Sequence, residues 1–424
     1  MGKIFNRSSI REIEDILHIY MSDYLNTIPK HLKNGYSRNG LIKKIFFIVH
    51  SFLFDTYIFF YKKNKNLSDK WVFYLSMNNY DSTRFLEKEI KDIEFYFPKT
   101  NFHTSSHEKF GKSIYYKRKY LYDLLFPVFF IFYLIHCNTK KLAIERFDSI
   151  YHCFGIYFES IRILKKQKPS VIIFSNDHLI TSRSLIKAAK TLNIKTVYIQ
   201  HASISKFFPK LDFGLALLDG KNTYDIYKNI GKIYSKVEFI GMPKFDDYCN
   251  LINYSDKLTV IGIAYNEVDD IKIVAELIHE LKNHFLDKKL IVRKHPNDTR
   301  ILNTEQLASI SNPKEESSFE FLKKIDLLIS CESSIHLEAT LLNVVSVYYK
   351  LNNNNIYDYY GYIKNDLIEE VEDIKELNLL IKKLSFSRPN VINRAKYYNC
   401  TINTPDFGNS KKLAVRKILE YTKQ

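Results

Sequence analysis

The sequence predicts an α/β chain of two doubly wound domains, preceded by a helical, aromatic-rich N-terminal region. Three observations predict it. From residue 170, four short apolar runs fall within seventy residues, at 170–174, 196–199, 212–218 and 237–240, some with helical patterns between them. A second series opens near 258, with runs at 258–264, 289–293, 325–329 and 344–349 alternating with helical patterns at 271–286, 319–324 and 335–342. Between the two series the apolar pattern breaks at Asp246, Asp247, Asn250, Asn253 and Asp256. Short continuous apolar runs bounded by polar loops are the pattern of strands covered on both faces, and their alternation with helices implies parallel sheets. A length of 424 residues also exceeds one ordinary core.

Taken in order, residues 1–67 read as helical, with a cap at Ser8 or Ser9 and Glu12 and Glu14 close behind. Residues 71–77 (WVFYLSM) read as a first strand, and 79–168 as a mixture of helices with one long aromatic run. The run at 170–174 ends in Ser175-Asn176-Asp177-His178, a helix follows at 182–192, and the next strand ends at Gln200-His201. The runs at 212–218 and 237–240 end at Asp219-Gly220 and Gly241-Met242-Pro243. We therefore divide the chain into an N-terminal region (1–67), a first α/β domain (68–245), a second (246–410) and a terminal helix (411–424) able to cross back onto the first.

Composition narrows the partners. The chain carries 63 Lys and Arg against 47 Asp and Glu, a formal charge of +16, which favours an anionic partner. No zinc-finger spacing or arginine-rich arm points to nucleic acid. Five isolated cysteines, at 137, 153, 249, 331 and 400, fit a reducing cytoplasm and no disulfide framework. The N-terminal segment has acidic residues and no apolar signal core, so no export signal is expected. Residues 45–61 (IFFIVHSFLFDTYIFFY), flanked by Lys43, Lys44, Lys62 and Lys63, and residues 121–135 (LYDLLFPVFFIFYLI) are short or interrupted for membrane-spanning helices, and Asp55 is costly in lipid. Buried helices or a peripheral contact with an acidic membrane surface both suit them.

The chemistry concentrates at strand ends. His295-Pro296 follows the run at 289–293 directly; proline fixes φ and keeps the histidine on a stiff corner, beside Arg293 and Lys294. An imidazole there suits a phosphate or a leaving oxygen. Glu332-Ser333-Ser334 leads into a helix, where hydroxyls and free N–H groups cradle a phosphate, and Glu338 lies four residues on, placed for a ribose diol. In the first domain His201 ends a strand, where an imidazole suits general-base work, and Asp177 and Asp219 are rivals at neighbouring strand ends. Gly241 allows close backbone approach to a ligand, and Lys244 offers a charge for phosphate. Residues 357–362 (YDYYGY), after four asparagines, read as an aromatic loop beside the cleft. No Gly-x-Gly-x-x-Gly, phosphate-loop or Asp-x-Asp motif is present.

These residues carry a resemblance. The chain resembles bacterial surface-polysaccharide transferases of GT-B architecture, two facing Rossmann-like domains, over about 170–365. It looks most like the capsule Kdo transferases and the bacterial sialyl- and polysialyltransferases, and more distantly the CDP-glycerol glycerophosphotransferases. His295-Pro296 matches the His-Pro pair that contacts CMP in the sialyltransferase-like families, and Ser333-Ser334 their phosphate-binding pair. Glu338-Ala339 matches the ribose-holding Glu-Ala helix; Gln200-His201-Ala202 resembles Gln-His-Gly; Gly241 to Asp246 resembles Gly-x-Pro-x-x-Asp. Alanine replaces the usual glycine after His201, and the acid-acid-Gly motif survives only as Leu218-Asp219-Gly220, later than expected. The identity of the base stays open.

The resemblance implies a cytoplasmic glycosyltransferase of surface-polysaccharide synthesis, peripheral on the inner membrane or free of it. It implies a CMP-sugar donor of the Kdo or sialic-acid kind, a glycan or lipid-linked glycan acceptor, and no required cofactor, metal or nucleic-acid partner. Its catalytic candidates are His201, His295, Asp177 and Asp219. Its donor-binding candidates are Lys294, Pro296, Ser333, Ser334, Glu338, Gly241 and Lys244. A CDP-glycerol or CDP-ribitol polyol-phosphate transferase is the enzymatic alternative, and a glycan-binding scaffold the non-catalytic one.

Overall fold

Strand-forming runs such as VIIF and LALL are apolar at every position, and LLIS at all but its last, because both faces of their sheets are covered. In the computed structural model, which describes residues 4–22, 24–27, 36–62, 67–99, 110–303, 306–353 and 357–423, they build two parallel sheets. Lys63 and two of the four asparagines before Tyr357 lie outside the described residues. The first sheet holds β1 (Lys70–Phe73), β2 (Ile93–Lys99), β3 (Lys112–Tyr115), β4 (Val171–Phe174), β5 (Lys195–Ile199), β6 (Leu215–Leu218) and β7 (Lys236–Phe239), in the order β3-β2-β1-β4-β5-β6-β7. The second holds β8 (Val260–Tyr265), β9 (Lys289–Lys294), β10 (Ser309–Ser311), β11 (Leu327–Ser330), β12 (Val345–Tyr348) and β13 (Glu369–Glu370), in the order β10-β9-β8-β11-β12-β13. Two such Rossmann-like halves, with a helical aromatic-rich N-terminal region, make a GT-B-like fold.

Strand order reverses between β1 and β4 in the first sheet and between β8 and β11 in the second. Crevices at such switch points, beyond the carboxyl ends of the strands, are where open α/β sheets bind ligands. Asp177 follows β4, and Ser333 and Ser334 follow β11.

The first sheet divides its side chains cleanly. Trp71, Phe73, Phe174, Tyr198 and Leu218 point into a core shared with the N-terminal helices Arg7–Ile16, Leu41–Tyr61, Lys119–His136 and Phe147–Gln167. Val72, Ile173, Val197, Ile199 and Leu217 point the other way, onto Leu413, Ala414, Val415 and Ile418 of the terminal helix Ser410–Lys423. The helical N-terminal region is thus one layer of the first half. A third core serves the second sheet, and the chain enters it at Phe245, directly after Ile240 in the first.

Several elements differ from the sequence reading. The first strand ends at Phe73, because Ser76 caps a short helix, Met77–Asp81, by accepting a hydrogen bond from Asn79 N. Two strands, β2 and β3, lie in the stretch read as helical; Glu94 and Pro98 obscure the apolar pattern of β2. The edge strands β10 and β13 and the helix Ile374–Phe386 were also not anticipated. Three- and two-residue edge strands leave too little periodicity to read.

Candidate functional site

A cavity of about 100 Å³ lies where the carboxyl ends of the two sheets face each other. From the first half it takes Asn78 and Ser82 beyond β1, Gln200 to Ser203 beyond β5, Asp219 beyond β6 and Met242 to Lys244 beyond β7; from the second, Ser334, Leu337 and Glu338 beyond β11. Residues more than a hundred positions apart thus converge at one place.

Gln200 sets the first wall. Its Oε1 accepts from Asp219 N at 2.9 Å and its Nε2 donates to Ala202 O at 3.1 Å, tying the loops after β5 and β6 together. His201 and Asp219 consequently line the same cavity. Gly220 follows Asp219 because a Cβ there would lie 2.6 Å from the Tyr398 carbonyl, and Cys400 N donates to Asp219 O at 2.9 Å. This covering segment leaves Asp219 only 3% exposed, with Oδ1 unpartnered. Burial without a neighbouring cation pushes the carboxyl well above its ordinary value. The Nδ1 of His201 is also unpartnered; burial first, then the charge of His178, hold its imidazole down to about 4. At neutral pH the cavity therefore contains an uncharged imidazole and a carboxyl that holds its proton unusually well. Both are groups that exchange protons with a hydroxyl.

Opposite them, Ser334 stands at the N-terminal end of the helix Ile335–Leu341, exposed and without a side-chain capping bond, while Ser333 Oγ accepts from Ile335 N at 3.4 Å. Glu338 is one turn further on. Its Oε1 accepts from Lys244 Nζ at 2.8 Å, an ion pair that spans the cleft from the loop after β7.

Five of the eleven residues singled out from sequence line the cavity: His201, Asp219, Lys244, Ser334 and Glu338. The other six do not. Asp177 is buried outside the cavity lining, with Tyr227 OH donating to Oδ2 at 2.5 Å and His178 Nδ1 at 3.2 Å from Oδ1. Burial opposes its ionisation, but His178, the Tyr227 hydroxyl and Arg183 outweigh it and keep the carboxyl below its ordinary value. Gly241, at φ +75°, faces protein: a Cβ there would lie 2.6 Å from Ser410 Oγ and from Thr401 Cγ2. Its conformation and lack of a side chain serve packing against the C-terminal segment. Lys294 Nζ donates to Arg300 O at 3.0 Å, and Arg293 is turned to Ser311 and Glu316.

His295 and Pro296 form an open turn, closed by Asp298 N donating to His295 O at 2.9 Å. The imidazole is 47% exposed, with Nδ1 3.3 Å from Glu267 Oε2. Since β8 separates β9 from β11, His295 stands two strands, roughly 10 Å, from the Ser333-Ser334 loop on the same sheet edge. Asn266 Nδ2 bridges that edge by donating to Glu332 O at 3.2 Å.

Asn78, Ser82 and Glu267 were not among the residues read from sequence, and Gln200 entered only as part of the Gln200-His201 strand end. Asn78 and Ser82 carry no signal beyond a polar stretch after a strand. Glu267 was legible in principle as an acid directly beyond β8. The aromatic loop reaches across the cleft: Tyr362 OH is 2.6 Å from Ser203 Oγ, and Tyr359 OH donates to Ser205 Oγ at 2.8 Å.

No protein-family model matches the sequence, and no curated protein matches it. Solved structures match it in fold. The S. aureus MnaA–UDP co-structure aligns over 84% of this chain and 98% of its own, at 12% identity and a TM-score of 0.50. The wall teichoic acid polymerase TagF with CDPG aligns over 89% and 97%, at 13% identity and 0.50. Acinetobacter baumannii MurG aligns over 82% and 99%, at 13% identity and 0.50. At these identities the likeness is one of fold, the GT-B-like arrangement of two α/β halves.

Proposed function

We propose that the chain is a glycosyltransferase that moves an acidic sugar from a CMP-activated donor to a glycan hydroxyl. The observation that carries this reading is the meeting of His201 and Asp219, each with an unpartnered atom, with Lys244, Ser334 and Glu338 in one interdomain cleft. One side offers proton acceptors and the other a hydroxyl and a carboxylate suited to a nucleotide. In this reading Glu338 holds the ribose diol, Ser333 and Ser334 receive the donor phosphate, and His295 approaches it from the loop after β9, two strands away. Lys244, released from Glu338, neutralises charge on the departing CMP. The acceptor hydroxyl attacks the anomeric carbon as the bond to the CMP phosphate breaks; its proton passes to the ionised form of Asp219, whose raised affinity for protons makes it a stronger base than an ordinary carboxylate, with His201 orienting the hydroxyl. The choice of CMP and of an acidic sugar rests on the resemblance of the His-Pro, Ser-Ser and Gln-His motifs.

A polyol-phosphate transferase using a CDP-linked donor is the second reading, favoured by the likeness in fold to TagF with CDPG. Purified protein offered CMP-Kdo, CMP-sialic acid, CDP-glycerol and UDP-N-acetylglucosamine in parallel separates these. Release of CMP from a CMP-sugar is expected, reduced roughly a hundred-fold or more by Asp219→Asn and His201→Ala. Turnover of CDP-glycerol alone replaces the first reading with the second. Epimerisation of the UDP-sugar without nucleotide release sinks both.

A further inference from the structure

The helices Leu41–Tyr61 and Lys119–His136 carry five Lys or Asp side chains between them, and four are turned inward: Lys44, Asp55, Lys119 and Asp123. Lys119 Nζ donates to Asp55 Oδ2 at 2.7 Å and to Asp123 Oδ1 at 3.0 Å, and Lys44 donates to the Glu145 carbonyl. The outward sides are apolar. Ile42, Phe46, Val49 and Leu53, 50–84% exposed, follow one another in steps of four, three and four; Leu124, Val128, Ile131 and Ile135, 60–65% exposed, do the same. That spacing draws a straight stripe along each helix. The helices adjoin, with Phe59 against Tyr120 at 4.7 Å between ring centroids. These helices are buried on one face only, so their apolar outward faces form an exposed patch of the kind that marks a protein or membrane contact.

We infer that this pair of stripes is a docking face for an acidic lipid membrane, on which the helices lie in the interfacial plane. Charge complementarity selects that occupant. Neither helix exposes an acid, and basic side chains stand at the ends: Lys43 and Lys62 on the first, Lys117 and Arg118 before the second, Lys140 and Lys141 after it. Such cations meet anionic headgroups while the stripes enter the acyl boundary. The first stripe follows a helix about 30 Å long. A protein partner of that extent would need hydrogen-bonding groups among the apolar ones, and the stripes present hardly any. The helix Lys119–His136 is long and apolar enough to span a bilayer by length and composition. Its inner face, however, is stacked on the first domain, with Phe129 4.1 Å from Phe154 and Lys119 packed against Gly155. It therefore lies on the membrane. The inference is independent of the donor chemistry above.

Flotation of the purified full chain with vesicles of phosphatidylcholine, with and without phosphatidylglycerol, tests it. The chain is expected to float with the anionic vesicles. The variant Phe46→Ser/Val49→Ser/Leu124→Ser/Val128→Ser should lose roughly ten-fold or more of that partitioning. Its thermal unfolding should match the parent, since all four side chains are exposed, and this separates lost docking from lost folding. Equal binding to neutral vesicles overturns the assignment to an acidic surface. No flotation, or flotation unchanged in the variant, overturns the docking face. A parent that self-associates without binding vesicles, and a variant that does not, assigns the stripes to a second copy.

Discussion

Asp219 is buried beneath the segment 397–400 with one oxygen unpartnered and no cation beside it. Its carboxyl holds a proton to higher pH in the folded chain than in the unfolded one, where carboxylates titrate near about 4. The folded state therefore binds more protons above that pH, and stability is lost as pH rises through the folded value. Asp219→Asn removes the loss. The variant is expected to melt at a higher temperature than the parent at pH 8, with the difference vanishing below about pH 4, where both side chains are neutral. Scanning calorimetry at several pH values reads this, and a constant difference across the range contradicts the buried, uncompensated carboxyl. Asp177 is also buried after a strand, but Tyr227 and His178 satisfy it, so the same residue type in the same setting differs through its partners alone.

At the scale of elements, the helices Leu41–Tyr61 and Lys119–His136 are joined through one ammonium between two carboxylates. Burial pushes Asp55 up, while Lys119 opposes the shift. Lys119→Met would leave two buried carboxylates without their cation and is expected to cost about 3–5 kcal/mol in denaturant unfolding. Adding Asp55→Asn and Asp123→Asn should recover most of that loss, because the variant then buries no charge at this junction. Failure to recover would assign the loss to packing around the lysine stem. The central strands were legible in sequence because burial on two faces leaves few polar positions in them: β4 and β6 have none, and β11 only Ser330 at its end. The paired helices read correctly as aromatic, but their chemistry was ambiguous: Asp55 looked like an argument against lipid until its partner appeared 64 residues away.

Across the whole molecule, the two halves meet through Lys244 and Glu338, through Tyr359 and Tyr362 on Ser205 and Ser203, and through the terminal helix packed on the first sheet. A cavity of about 100 Å³ is smaller than the several hundred Å³ of ordinary ligand pockets. On the function proposed above, a nucleotide-linked donor enters as the halves part around this cleft and Lys244 leaves Glu338. Small-angle scattering is expected to show a changed radius of gyration on adding CMP. Lys244→Ala should move the free chain toward the nucleotide-bound value. A radius indifferent to both nucleotide and substitution would place binding elsewhere than in this cleft.

The sequence by itself determined the α/β alternation, the two series of buried strands and the polar residues at their carboxyl ends, because each depends on neighbours within a few positions. Burial pattern and turn chemistry are local quantities. Tertiary structure alone decided which of those strand-end residues share a cavity. Gly241 and Lys294 are engaged with protein, His295 stands two strands from Ser334, and Lys244 meets Glu338 across 94 residues of chain. It also decided which charges face inward, and so turned two ambiguous apolar runs into an outward-facing surface. Those outcomes depend on strand order and on partners brought together by the packing of distant segments, which local spacing does not encode.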